Sequence, residues 1–353
     1  MQHKENNKFI LSKTSEAVAG HKKNNLLMHP FLLSVLFLIT AVTSLYFYNL
    51  NGGGVNKIIK ENVNLAVNDT KDYKKIAYVG FSKEGQPFWT AMAKYLEASA
   101  LTRKIFYTDL TPSIASAELQ IASLDLAIEQ KVDGIIIGAA FPSQLVNVLA
   151  GAYEKNIPVV AIDTQVDSPA IVSLIATNNL ESARLAGDYI VNATNGKGTL
   201  LILCGEKTHP NSIAREKGVR EMVEKAGMKV VVQYTDWQIE KAYQLAKEEL
   251  IKPNNGIKAI FSCFDPGIIS VQKVIENMNL QGKIITVGFD GLQETYKMIQ
   301  DNKISATVAQ PIKQMAREGI EKIIEHLNNI QVVKEDLIPG IIVTKTNVGY
   351  FLD

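Results

Sequence analysis

Cysteine is scarce in this chain: Cys204 and Cys263 are the only two in 353 residues, too few for a disulfide framework. Both end apolar, strand-like runs, a setting that favours small buried core residues and leaves a single bridge open as the alternative. Histidine is nearly as rare. His3, His21 and His29 lie near the amino terminus, and His209 and His326 are isolated, so no metal-ligand spacing exists. The first strand-like run is followed by G-F-S-K-E-G from Gly80 rather than G-x-G-x-x-G, and neither a phosphate loop nor a G-x-S-x-G is present. No cofactor is expected, and the chain does not read as an enzyme. An excess of one charge is also missing, since 37 Lys and Arg face 36 Asp and Glu for a net charge of +1. That balance argues against a nucleic-acid partner. Arginine is the scarce cation, limited to Arg103, Arg184, Arg215, Arg220 and Arg317. Its planar fork can hold two oxygens at once, so each of these positions is informative.

What the chain does have is, first, an apolar run. Residues 1–29 are polar and rich in Lys and Asn, and residues 31–48 then carry no charge. Extended to 30–50, that run reaches the length of a transmembrane helix, with Tyr46 and Tyr48 at one end as an interfacial belt would place them. A cleavable signal peptide fits less well, because the leading segment is long and no small-x-small site follows. No cysteine lies nearby for a lipid anchor. The expectation is a cytoplasmic tail over 1–29, a single-pass anchor over 30–50 and a linker or stalk over 51–73 that includes Gly52, Gly53 and Gly54. The bulk of the chain would then lie outside the cell membrane, with the amino terminus inside.

From residue 74 the pattern becomes alternating strands and helices. Strands are expected at 75–81, 105–109, 134–139, 158–163 and 172–177, with helices at 88–101, 115–130 and 144–155. The rhythm restarts with strands at 199–204, 229–234, 258–263 and 284–290 and helices at 212–226, 239–251, 267–278 and 292–301. A helix at 312–327 and a strand at 341–345 close the chain. Such alternation predicts parallel sheets with helices on both faces, here as two similar Rossmann-like lobes of class α/β. The organising stretch is I-I-T-V-G-F-D-G at 284–291, a β-branched run suited to a strand buried on both faces. It delivers Asp290 to the carboxyl end of a central strand, the edge where ligands sit in open parallel sheets. The alternative is that Asp290 caps the helix beginning at Leu292.

The other loops after strand carboxyl ends are read the same way. In the first lobe they carry Gly85, Gln86, Pro87, Phe88 and Trp89, then Asp163 and Thr164. In the second they carry residues 209–215, Asp236 and Trp237, Phe264 and Asp265, and Asp290. Both tryptophans of the chain, Trp89 and Trp237, fall in such loops, one per lobe. Aromatic faces from two sides, with carboxylates, amides and one Arg around them, suit a neutral polyol, whose C–H faces pack on rings while its hydroxyls need paired donors and acceptors. Core packing is the bland role for each aromatic taken singly. Asp163 and Asp290 form a conceivable acid/base pair, but no nucleophile or metal accompanies them.

At these residues the chain resembles the periplasmic sugar-binding proteins of the ribose, xylose and galactose type, which have the type I periplasmic binding protein fold. The resemblance runs from about residue 74 to the carboxyl end. It is carried by Q-P-F-W (86–89), V-V-A-I-D-T (159–164), L-A-G-D-Y-I (185–190), A-R-E-K-G (214–218), V-G-F-D-G (287–291) and A-T-V-A-Q (306–310). It implies a ligand set of Gln86, Phe88, Trp89, Asp163, Thr164, Arg215, Trp237, Phe264, Asp290 and Gln310. Phe88, Trp89 and Trp237 would stack, while Asp163, Arg215, Asp290, Gln86 and Gln310 would bond hydroxyls. Thr164 stands where the family has an Arg, and Ala139 and Phe264 stand where it has Asn. These losses of polarity point to a smaller or less functionalised sugar, an aldopentose with D-xylose first. The resemblance also implies three crossovers, near 177–178, 310–311 and 339–340. The amino-terminal lobe would be 74–177 plus 311–339 and the carboxyl-terminal lobe 178–310 plus 340–353. With its membrane anchor, the chain looks like the membrane-anchored D-xylose-binding proteins of clostridia. Those partner the extracytoplasmic domain of a sensor histidine kinase in a two-component system. The competing expectation is a receptor for the permease of an ABC importer of ribose, galactose or autoinducer-2.

Overall fold

The structure is a computed structural model and describes residues 73–352. The expected tail, anchor and nearly all of the stalk lie outside the described residues. Among the described residues no helix is long and apolar enough to cross a membrane.

The chain builds β1 (Lys74–Val79), α1 (Pro87–Leu101), β2 (Ile105–Asp109), α2 (Ala117–Glu129), β3 (Gly134–Ile137), α3 (Val146–Glu154), β4 (Val159–Ile162) and β5 (Ile171–Thr177). It then forms α4 (Asn179–Thr194), β6 (Thr199–Cys204), α5 (Pro210–Lys225), β7 (Lys229–Tyr234), α6 (Ile239–Ile251) and β8 (Ile257–Ser262). These are followed by α7 (Asp265–Asn277), β9 (Ile285–Asp290), α8 (Gln293–Gln300) and β10 (Ala306–Ala309), and last by α9 (Ile312–Leu327), β11 (Glu335–Ile338) and β12 (Ile341–Thr344). Two six-stranded sheets result, ordered β11-β5-β4-β3-β1-β2 and β12-β10-β9-β8-β6-β7. The first is parallel throughout, and the second is parallel except for β12, which runs antiparallel to β10. Two parallel α/β lobes are therefore present, with one antiparallel edge strand as the departure from the expectation.

Strands β3, β4 and β6 are buried along their whole length. This is why G-I-I-I, V-V-A-I and T-L-L-I-L-C read as continuous apolar runs rather than alternating ones. Each sheet carries one apolar cluster per face, roofed by helices. The chain leaves the first sheet after β5, returns with α9 and β11, and crosses again to β12. Where these crossings meet, Thr177 donates through Oγ1 to Oε1 of Gln310 at 2.7 Å, and the Gly340 amide donates to Oγ of Ser182 at 2.9 Å.

Three elements depart from the expected list. Helix α4 buries Ser182, Ala183, Ala186, Gly187 and Ile190, a stripe of small residues whose apolar period is faint. Smallness is what its packing needs: a Cβ at Gly218 would come within 2.4 Å of the Leu180 carbonyl, and one at Gly187 within 2.6 Å of Met222. Strands β10 and β11 have four residues each, too short for a periodic signal.

Candidate functional site

The two sheets turn their carboxyl-terminal edges toward each other, and the loops there line a shared, narrow cleft. All ten expected positions line it: Gln86, Phe88, Trp89, Asp163 and Thr164 from the first lobe, and Arg215, Trp237, Phe264, Asp290 and Gln310 from the second lobe and its crossing. Phe81 and His209 join them. Phe81 ends the first strand-like run, where nothing in the sequence separates a cleft residue from a core one, and His209 opens the expected loop 209–215 without a motif of its own.

Each lobe seats its tryptophan on a glycine. A Cβ at Gly138, just past β3, would come within 2.2 Å of the Trp89 ring, and one at Gly205, just past β6, within 2.0 Å of Trp237. No larger residue fits beneath either ring. Trp89 enters from the first turn of α1, which Pro87 starts. It lies parallel to Phe81 with centroids 5.9 Å apart and takes the edge of Phe88 at 5.0 Å. Trp237 meets His209 at 5.3 Å and Phe264 at 5.7 Å, both edge-on. Its Nε1–H is buried without a protein partner, a donor left for whatever fills the cleft.

The carboxylates follow the strands. Asp163 comes directly after β4 with φ of 68°, and Asp290 ends β9 with φ of 140°. Asp236 and Trp237 also have positive φ, at 52° and 60°. Non-glycine residues held in such conformations cost roughly 1–3 kcal/mol each and gather at functional sites. Asp290 does not cap the helix that follows it, which corrects one of the two sequence readings. That end is held by Asp265, whose Oδ2 accepts from the amides of Gly291 at 2.9 Å and Leu292 at 2.8 Å and whose Oδ1 accepts from Thr307 at 2.6 Å. Asp290 returns the favour to α7, accepting the Asp265 amide on Oδ2 at 3.1 Å. Its Oδ1 accepts from Nε2 of Gln310 at 2.9 Å and faces the cleft.

Arg215 lies between the two acids and is 3% exposed. Its Nε donates to Asn179 and its Nη1 to the Cys263 carbonyl, both at 2.7 Å, and its guanidinium covers the Phe289 ring at 3.9 Å. The charged contacts are longer: Nη2 to Asp163 is 3.8 Å and Nη1 to Asp290 is 3.7 Å. These attract but are not hydrogen bonds, so donors on the fork remain available to hydroxyls between the lobes. Burial pushes both carboxyls above the usual range, Asp290 to about 8, while Arg215 pulls each back down. His209 accepts the Asn211 amide on Nδ1 at 3.2 Å, capping α5. Its other ring nitrogen is then the donor to the Ala139 carbonyl of the first lobe. Burial first, and Arg215 second, push its pKa down to about 4, so the ring is neutral.

Asn211, inside the expected loop 209–215, and Asn179, which no motif marks, take roles that only the structure shows. Asn211 donates through Nδ2 to Oδ2 of Asp163 at 2.7 Å, across the cleft, and its Oδ1 accepts from Asn179 at 3.2 Å. Arg215, Asn179, Asn211 and Asp163 thus form one buried polar chain between the lobes. Among the described residues no group of His, Cys, Asp and Glu has the arrangement of a metal site.

Two lobes closing stacked rings and hydrogen-bonding side chains around one small space define a class, the two-lobed proteins that clasp a small molecule. The chain belongs to the periplasmic binding protein domain family, which matches residues 76–331. The D-allose-binding periplasmic protein of Escherichia coli K12 is 26% identical over 264 residues, covering 72% of this chain and 85% of that protein. The crystal structure of GanP, a glucose-galactose binding protein from Geobacillus stearothermophilus, superposes with a TM-score of 0.72 at 26% identity, over 78% of this chain and 99% of that one. The fructose binding periplasmic domain of a hybrid two component system shares the fold, with a TM-score of 0.73 at 19% identity over 79% of this chain and 93% of that one. These relatives are binding proteins rather than enzymes.

Proposed function

We propose that this protein is a membrane-anchored, extracytoplasmic receptor for a monosaccharide, held by its residues 30–50 with the amino terminus inside. It binds by closing its lobes on an aldopentose, D-xylose first. The observation that carries this is Arg215 set between Asp163 and Asp290 at distances too long for hydrogen bonds, flanked by Trp89 and Trp237. With Asp290 raised to about 8 by burial and so largely protonated near neutral pH, Arg215 balances the Asp163 carboxylate. A net-neutral, multi-hydroxyl ligand keeps that balance, whereas a charged one would add an uncompensated charge to a buried space. The relatives named for sugars support the ligand class. The aromatic Phe264 and the short Thr164, at cleft positions where the sugar-binding resemblance expects Asn and Arg, favour the smaller sugar.

The closed form would report through the extracytoplasmic domain of a sensor histidine kinase. Sugar drives this only as far as it binds closed better than open. The second reading, a receptor delivering sugar to an ABC permease, rests on the relatives that carry import names. The test is titration calorimetry of the full-length protein with D-xylose, D-ribose, D-allose, D-galactose and autoinducer-2. Submillimolar binding of D-xylose above the others is expected, and silence across the panel would sink the reading. Sugar-dependent co-purification with a kinase domain rather than a permease separates the two partners.

A further inference from the structure

Cys204 and Cys263 occupy neighbouring positions on adjacent strands. Strand β6 pairs in parallel with β8 through Leu203 and Ser262, and the Cys263 amide continues that ladder by donating to the Leu203 carbonyl at 2.9 Å. Side chains at paired positions of a parallel ladder leave the same face, and both cysteines belong to one apolar cluster with no exposure to solvent. Their sulfurs lie 2.7 Å apart. Two thiols in van der Waals contact would stand farther apart than this, and a bond of about 2.05 Å needs only a small further approach.

We propose that Cys204 and Cys263 form a disulfide that joins β6 to β8 beneath the cleft. The bridge sits under the parts of the second lobe that shape the site. The Cys263 carbonyl receives Arg215, while the Cys204 carbonyl receives the amide and hydroxyl of Thr235, which leads into Asp236 and Trp237. Cross-linking the two strands fixes the spacing of those anchors. It also closes a long loop, the case in which a cross-link most restricts the unfolded chain. The chemistry is exchange with an external disulfide such as oxidised glutathione. One cysteine thiolate attacks it, forming a mixed disulfide and releasing one glutathione thiol. The second thiolate then displaces the other glutathione, so two protons and two electrons leave the protein and two thiols are made. Burial raises the Cys204 thiol well above its usual pKa, and the neighbouring Cys263 adds to this. Cys204 thus offers little thiolate once the lobe is folded, and neither sulfur is exposed to an external disulfide. The bridge therefore forms while the second lobe folds and persists afterwards. An oxidising compartment is required, and in that respect the inference rests on the extracytoplasmic placement proposed above.

The test uses the full-length protein, reduced in guanidinium and refolded by dilution into a mixture of reduced and oxidised glutathione or, in parallel, into dithiothreitol. Each product is denatured in iodoacetamide and weighed. Oxidative refolding is expected to give a chain two hydrogens lighter with neither cysteine alkylated, and a crosslinked peptide pair containing 204 and 263. Its melting temperature should exceed that of the dithiothreitol-refolded protein by several degrees. The C204A/C263A variant should melt like the reduced form in both buffers, which separates the bridge from any effect of buffer. Two alkylated cysteines in folded protein from the glutathione buffer would overturn the inference. Both refolded forms are also titrated with the sugar panel. Sugar binding by neither would end the receptor reading and leave the bridge standing, while binding by unbridged protein from both buffers would do the reverse.

Discussion

The two walls of the cleft use the same parts and hold them differently. Each seats a tryptophan on a glycine past a strand and delivers an aspartate in a positive-φ conformation from a strand end. In the second lobe the aspartate is fixed from within: Asp290 is tied to the Asp265 amide and to Gln310, and Asp265 in turn ties the Gly291 and Leu292 amides. In the first lobe Asp163 has Thr164 beside it, but its other hydrogen bond comes from Asn211 of the opposite wall. The second lobe is thus a finished half-site. The first is completed by closure, which is the asymmetry a receptor needs if ligand occupancy is to be read as lobe position.

Arg215 is where the two walls share one charge, so removing it should have the largest effect. Arg215→Met leaves two buried carboxyls without a cation, a loss on the order of 3–5 kcal/mol. Melting should fall by roughly 10 °C and sugar binding should vanish in calorimetry. The deficit should widen toward alkaline pH, where both acids are pressed to ionise. Asp290→Ala tests the finished wall alone. It removes a charged hydrogen-bond acceptor, so affinity should drop roughly 10- to 100-fold, with ligand-free dimensions in X-ray scattering unchanged. Its pH signature has a definite sign. A carboxyl whose folded pKa is raised to about 8 stabilises the fold below the unfolded value, and that contribution declines as pH rises, to be spent above about 8. Wild-type stability relative to Asp290→Ala should therefore fall between about pH 4 and 8, as read from denaturant midpoints. A flat difference over that interval, with a rise confined to below about pH 4, would mean that Asp290 is held as a charged partner of Arg215.

His209 bridges the walls at the other end of the cleft, and a smaller effect is expected there. Its ring must stay neutral, because Nδ1 accepts the Asn211 amide at the start of α5. With a folded pKa of about 4 against about 6.5 unfolded, unfolding takes up a proton over this interval. Stability is full above 6.5 and is lost as pH falls toward 4. His209→Asn keeps a capping acceptor and should flatten that fall, by about 2 kcal/mol at pH 5. Parallel profiles for wild type and variant would show that the ring does not carry the loss.

The halves were unequally legible in the sequence as well. Strand β9 could be read directly from its β-branched run, while Asp290 kept two readings, cleft residue or helix cap, that only the hydrogen bonds of Asp265 and Asp290 separate. Nine of the ten cleft positions fall in loops assigned to strand ends, while Gln310, and the choice of these ten as a ligand set, came from the family resemblance. Helix α4 escaped because its buried face is Ser, Ala and Gly, chosen for closeness to α5 rather than for apolar area. The roles of Asp265 and Asn211 escaped for a different reason. Each acts on a partner 26 to 48 residues away, and in Asn211's case that partner lies on the other lobe. No periodicity encodes such a pairing, which exists only after two separately folded sheets have been set edge to edge.

Asn211 also gives the finest cut through the comparison. It occupies Oδ2 of Asp163 together with Thr164, while Oδ1 faces Arg215 at 3.8 Å. A hydroxyl can therefore take Oδ1 without displacing Asn211, and the amide serves the liganded closed form as well as the empty one. Removing it by Asn211→Ala lowers the fraction of molecules in the binding-competent state, and apparent affinity falls by that same fraction. One hydrogen bond of about 1 kcal/mol predicts a loss of roughly fivefold, together with a larger radius of gyration in the ligand-free protein and an unchanged radius at saturating sugar. The same substitution at the finished wall has no counterpart, since Asp290→Ala leaves the empty protein's dimensions alone. Should Asn211→Ala weaken binding without expanding the empty protein, the amide would be a ligand contact and not a latch, and the first wall would be as preformed as the second.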